Sequence, residues 1–160
     1  MPEQPPPPGW TVRAATAEDL PSLAALLADD ALGSSRERPD RLAPYRAAFD
    51  RIAADPHQRL VVGCREHGEV RPLGTLQLTL TPGLARQGAT RGTIEAVRVA
   101  REARGGGLGR VLVRWAVDEA ARQGCALVQL TSDTTREDAH RFYERLGFRA
   151  THVGYKLPLD

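Results

Sequence analysis

The stretch from Thr93 to Trp115 constrains the fold more than any other part of the chain. A strand-patterned segment, Thr93 to Val99, runs straight into Arg101-Glu102-Ala103-Arg104-Gly105-Gly106-Gly107-Leu108-Gly109-Arg110. Behind it, Leu108, Val111, Leu112, Trp115 and Ala116 fall at i, i+3, i+4, i+7 and i+8, one face of a helix that Gly124 ends. Four glycines in the five positions from 105 to 109 leave backbone N–H groups unshielded. The positive end of the helix dipole points at the same place. Arg104 and Arg110 bracket the loop with planar, forked donors, so the combination suits a pyrophosphate. The alternative is a flexible turn leading into a capped helix. The strand before the loop and the periodic helix after it weigh against that reading.

Elements of both periods flank this unit. Trp10 to Ala14 reads as a strand, and Thr16 with Asp19 three residues on opens a helix striped by Leu20, Leu23, Leu26 and Leu27, ending near residues 31 to 33. Ser34 to Arg41 is polar and reads as a loop. A second helix covers Pro44 to Ala54 and stops at Pro56. Strands follow at Arg59 to Arg65 and Leu73 to Leu80, joined by a turn at His67-Gly68-Glu69. Pro82 to Gly92 is a glycine-rich connection. Beyond the central unit, Cys125 to Leu130 is a short strand. Thr134 and Glu137 match a capping box for a helix carrying Ala139, Phe142, Tyr143 and Leu146, ended by Gly147. Phe148 to Leu157 reads as a last strand. The result is an α/β chain, an α+β mixed sheet with an antiparallel first half and a β-α-β unit in the second.

Composition narrows the function. The chain has 160 residues, 41% hydrophobic and 26% charged, with net charge +2, which fits one domain over residues 10–160 behind a disordered proline-rich tail, 1–9. No apolar run is long enough to span a membrane, and no secretory signal is present, so a cytoplasmic protein is expected. Lys156 is the only lysine among 22 cationic residues, which excludes the phosphate loop that ends in Gly-Lys. Arginines are interspersed with acids, as in Arg36-Glu37-Arg38 and Asp40-Arg41, which argues against nucleic acid. Cys64 and Cys125 are isolated, which argues against a disulfide scaffold and a zinc site.

The dinucleotide fingerprint Gly-x-Gly-x-x-Gly fails in every register. What fits is Arg104-x-x-Gly107-x-Gly109 with Val99 five residues upstream. Here the chain resembles the GNAT superfamily of acetyl-CoA-dependent N-acyltransferases. The resemblance takes in Val97-Arg98-Val99, Gly124-Cys125-Ala126-Leu127, the run Ala139 to Phe148 with its Tyr and Gly-Phe ending, and the opening Val12 to Leu20. It covers about residues 10–157. It implies the GNAT acyltransferase fold, with no metal. Acetyl-CoA is the implied cosubstrate: pantetheine along Val97, Arg98 and Val99, pyrophosphate on Arg104, Gly105, Gly106, Gly107, Leu108, Gly109 and Arg110. The acceptor amine enters from the other side of a splayed sheet and attacks the thioester directly, with a tetrahedral intermediate and a departing thiolate.

Two side chains are the candidate catalysts. Tyr143 is placed by the resemblance as the acid that protonates the thiolate, although its helical stripe with Ala139, Phe142 and Leu146 also fits a packing role. Glu95 is the candidate base, on the expectation that residues 93, 95, 97 and 99 share one strand face. A solvated strand residue is its alternative. Two positions depart from the family pattern: Arg136 stands where many relatives have Asn, and Gly106 where they are often basic. The expected activity is N-acetylation of a primary amine on a small molecule or peptide. The alternatives are use of a longer acyl-CoA, or an acyl-CoA-sensing module without turnover. Arg36, Arg38, Arg41, Arg86 and Arg91 in the expected acceptor walls favour a carboxylate- or phosphate-bearing acceptor. A homodimer is compatible with the family.

Overall fold

The computed structural model describes residues 9–29, 33–68 and 70–159. The proline-rich tail up to Pro8, the expected end of the first helix and Glu69 of the expected turn lie outside the described residues. The elements run β1 (Trp10–Ala14), a 3-10 turn, α1 (Leu20–Ala28), a single turn α2 (Gly33–Arg36), α3 (Leu42–Ala54), β2 (Gln58–Arg65), β3 (Gly74–Thr81), a single turn α4 (Ala85–Gly88), β4 (Arg91–Val99), α5 (Leu108–Arg122), β5 (Leu127–Leu130) and α6 (Glu137–Arg145). The five strands form one sheet in sequence order, antiparallel up to β4 and parallel between β4 and β5.

The period-2 pattern of β3 divides the core. Leu76, Leu78 and Leu80 pack with Ile94 and with Leu108, Leu112, Ala116 and Ala120 of α5 on one face. Leu20 and Leu23 of α1 meet Val62 and Cys64 on the other, with Tyr45 and Phe49 of α3 against them. Helix α5 lies close to the sheet because two glycines yield to it. A Cβ on Gly63 would come within 2.5 Å of Leu108 Cδ1, and one on Gly74 within 2.9 Å of Leu112 Cδ1. Leu112 is fully buried, and its truncation to Ala should cost about 2–5 kcal/mol.

Local chemistry explains the helix ends. The Asp19 carboxylate accepts the Thr16 backbone N–H at 2.8 Å, the reciprocal bond of a capping box. Gly124 and Gly147 close α5 and α6 at φ 73° and 92°. Thr134 does not cap α6 as expected. Its entry is organised one residue earlier, where Asp133 Oδ1 accepts the backbone N–H and the hydroxyl of Thr135 at 2.9 and 2.6 Å.

Two further expectations need correction. Gly33 to Arg36 forms a helical turn inside the expected loop. Residues 148–157 are not a strand: Phe148 N–H bonds back to Tyr143 O at 3.1 Å, and the segment then runs exposed, with no ladder to β5. Its alternating Val153, Tyr155 and Leu157 produced the strand pattern, yet all three are exposed. A strand pattern becomes a strand only where a neighbouring edge receives it.

Candidate active site

Pairing between β4 and β5 ends at Ile94↔Leu130. Beyond it, residues 95–99 keep β3 on one side, while on the other the chain leaves β5 for the loop 131–136. The sheet therefore opens between its two parallel strands.

A bulge shapes the open half of β4. The register passes from Gln77↔Glu95 to Thr75↔Arg98, so two residues of β4 stand opposite Leu76 alone. Ala96 takes φ 52°, a left-handed conformation unusual for a residue with a Cβ. The extra residue inverts the alternation. Glu95 and Arg98 lie on the face of Gln77 and Thr75, whereas Val97 and Val99 pack with the α5 side of the core. The expected sharing of one face by Glu95, Val97 and Val99 does not hold. Glu95 is exposed on the α1–α3 side, and Arg98 donates from Nη1 to Val97 O at 2.9 Å.

The glycine loop closes one end of the opening. Gly105 and Gly107 have φ 77° and 86°, and Gly107 is the residue from which α5 starts. A side chain at either would be strained. Gly109 is constrained by space: a Cβ there would meet Phe142 Cζ at 3.4 Å and Val99 Cγ2 at 3.6 Å, ordinary contact that leaves room for a methyl and for little more. Arg104 does not stand as a free fork. Its Nε donates to Val99 O at 3.1 Å, and its Nη2 to the carbonyl and carboxylate of Asp29 at 3.2 and 3.4 Å. Arg101 reaches the same carboxylate at 3.3 Å. Leu108 is buried under the loop, and Arg110 is exposed on the first turn of α5.

At the other side of the opening stands Tyr143. Its ring makes edge-on contacts with Phe142 and Phe148, at centroid separations of 5.1 and 5.9 Å. Burial pushes its hydroxyl above the ordinary phenol value, against the opposing pull of the Arg136 and Arg98 guanidiniums. A phenol so placed is protonated at neutral pH. His140 is occupied by the carbonyl of Asp133 at 2.8 Å. Among the described residues no group of three His, Cys, Asp or Glu side chains is placed to hold a metal ion.

Trp10 and Asp29 were not singled out by sequence reasoning. Trp10 Nε1 donates to Gly106 O at 2.7 Å, across 96 positions of sequence. Asp29 joins the end of α1 to the two arginines before the loop. An aromatic residue opening a strand and an acid ending a helix are ordinary, and neither carries a local signal.

Comparison with known proteins agrees with this geometry. The model of the acetyltransferase (GNAT) family matches residues 20–148. An aminoalkylphosphonate N-acetyltransferase from Salmonella typhimurium is 33% identical over 92% of this chain and 90% of its own. A glucosamine 6-phosphate N-acetyltransferase from Trypanosoma brucei brucei is 37% identical over 56% of this chain and 58% of its own. A crystal structure described as a transcriptional regulator from Bacillus halodurans superposes with TM-score 0.89 at 45% identity, covering 94% of this chain and 99% of that one. The splayed mixed sheet, the glycine loop on α5 and these relatives together establish that the chain belongs to the GNAT family of acetyltransferases.

Proposed function

We propose that the enzyme transfers an acetyl group from acetyl-CoA to the primary amine of a small molecule bearing a phosphate or phosphonate, by direct attack within a ternary complex. The observation that carries this reading is the opening between β4 and β5, with the α5 glycine loop at one end and the partly buried Tyr143 beside it.

The residues fit the cosubstrate. The opening leaves Val97, Arg98 and Val99 without a strand partner on the β5 side, where an extended pantetheine arm would lie. The Val97 and Val99 carbonyls already accept from Arg98 Nη1 and Arg104 Nε, so the arm would use their remaining lone pairs or displace those arginines. Gly107 to Arg110 offer N–H groups at the N-terminus of α5 to the pyrophosphate, whereas the Gly106 N–H is taken by Ala103 O at 3.3 Å. Tyr143 is the proton donor to the sulfur. Glu95, on the face opposite Val99, takes the acceptor side and receives the amine proton directly or through water. Its separation from the cosubstrate face supports this assignment, because attack comes from the other side of the sheet. The acceptor class rests on the two named relatives, whose substrates each join an amine to a phosphorus oxyanion; of the arginines expected in the acceptor walls, Arg38 is held by Asp40 at 3.2 Å. The reading takes residues 10–160 as one cytoplasmic acyltransferase domain.

The test is free-thiol release from acetyl-CoA with 2-aminoethylphosphonate, glucosamine 6-phosphate and the phosphate-free amines ethanolamine and glucosamine. Turnover with a phosphorus-bearing acceptor, at least tenfold above its phosphate-free counterpart in kcat/KM, is the expected result. Acetyl-CoA binding without turnover on any amine would favour a sensing module instead. Faster transfer from longer acyl-CoA donors would replace the acetyl assignment.

A further inference from the structure

We infer that Trp10 is a positioning residue for the pyrophosphate loop, a role resting on the acetyl-CoA reading above. Three contacts converge on it. Its indole N–H donates to Gly106 O at 2.7 Å. Its ring lies where a Gly106 side chain would go, since a Cβ there would meet Trp10 Cζ2 at 3.3 Å and Ala103 O at 3.2 Å. The Arg65 guanidinium sits 4.7 Å from the ring centroid, and Arg65 is the cross-strand partner of Trp10 in β2. The indole is thus clamped between the loop and a cation.

The consequence follows from peptide geometry. In a trans peptide the C=O and the next N–H point in opposite directions. With the Gly106 carbonyl turned to the indole, the Gly107 N–H is turned to the opposite side of the loop. Glycines at 105, 106 and 107 allow this peptide to flip at little steric cost. A flip would present a carbonyl oxygen to the phosphate in place of an N–H donor. Trp10 selects the donor orientation. It also bears on Gly106 itself: a Cβ there would be crowded by Ala103 O at 3.2 Å and by the indole Cζ2 at 3.3 Å, so a side chain would press on the Trp10 ring.

Trp10→Phe keeps a ring over Gly106 and removes only the donor. Calorimetry should show affinity for CoA and for ADP falling by about fivefold to tenfold, the worth of one hydrogen bond. Binding of S-acetylpantetheine, which has no phosphate, should be unchanged. In kinetics KM for acetyl-CoA should rise with kcat nearly constant. Wild-type CoA and ADP affinity in folded Trp10→Phe would overturn the inference. So would an equal loss for S-acetylpantetheine, which would mean general loosening. If the variant does not fold, the Trp115→Phe protein leaves Trp10 as the sole indole, and CoA must alter its emission; an unchanged spectrum at saturation overturns the role. Wild-type protein that binds no CoA at all would instead sink the underlying function.

Discussion

Gly109 on the first turn of α5 faces Phe142 of α6, with only 3.4 Å between the position of a Cβ and the phenyl Cζ. The glycine of the loop motif and the neighbour of the candidate acid are therefore one packing unit. Any side chain that pushes Phe142 displaces Tyr143 as well. Gly109→Ala should be tolerated, because its methyl meets Phe142 and Val99 at ordinary contact distance. Gly109→Val should overpack the site and cost about 1–3 kcal/mol. Thermal melts of the two variants check the difference, and turnover should fall with the valine only.

Gly107 should behave differently, because its constraint is backbone conformation. At φ 86° a β-branched residue is strained, whereas Asn enters the left-handed region most readily. Gly107→Val should weaken acetyl-CoA binding by at least about tenfold, from the 1–2 kcal/mol cost of that region and from the side chain beside the N–H groups. Gly107→Asn should lose much less. Calorimetric titration of both decides it, and equal affinities would remove Gly107 from the phosphate site.

The elements of this fold were legible where period and punctuation coincide. The Leu108–Ala116 stripe ended by Gly124, and the alternation of β3, needed no tertiary information. The β4 bulge was not legible. Thr93 to Val99 reads as an unbroken alternation, and Ala96 becomes irregular only when the strand is laid against β3. That one residue reversed the inferred direction of Glu95. Trp10 was hidden because its partner is a backbone carbonyl, which leaves no trace in residue identity. The last strand was expected from alternation alone, a pattern that specifies faces and says nothing of which edge will pair.

The acid stability of the protein should depend on Asp19. It is buried, and Arg13 grips it with two bonds of 2.7 and 2.9 Å. Those bonds hold its carboxyl below the ordinary value, against the opposing effect of burial. A depressed folded pKa stabilises fully above the unfolded value of about 4, and the contribution is lost as pH falls through the folded value. Asp19→Asn should therefore cost about 1–3 kcal/mol at pH 7, discounted because Arg13 is partly solvated. Its stability should decline less than wild type between pH 4 and pH 2. Denaturant melts at the three pH values test both statements.

Glu95→Gln keeps shape and removes a proton acceptor. If the carboxylate assists deprotonation of the amine, turnover should fall mainly at low pH, where little free amine exists, and recover at high pH. Affinity for acetyl-CoA should stay near wild type, since Glu95 lies on the face opposite Val99. An unaltered pH–rate profile would hand the role to water.

Tyr143 separates chemistry from packing most sharply. Its ring is held by Phe142 and Phe148, so Tyr143→Phe retains both edge-on contacts and loses one hydroxyl. Burial has pushed that hydroxyl above the ordinary phenol value, so the wild-type group stays protonated across the working pH range. If it protonates the leaving thiolate, its loss is felt in the transition state and hardly in binding. Turnover should then fall by roughly 10² to 10⁴ with KM for acetyl-CoA little changed. Donors with more acidic thiols should suffer less, because a stable thiolate leaves without a proton. Melting temperature should stay within a few degrees of wild type. A lowered melting temperature with near-normal turnover in the folded fraction would make Tyr143 a core residue and leave the sulfur to solvent.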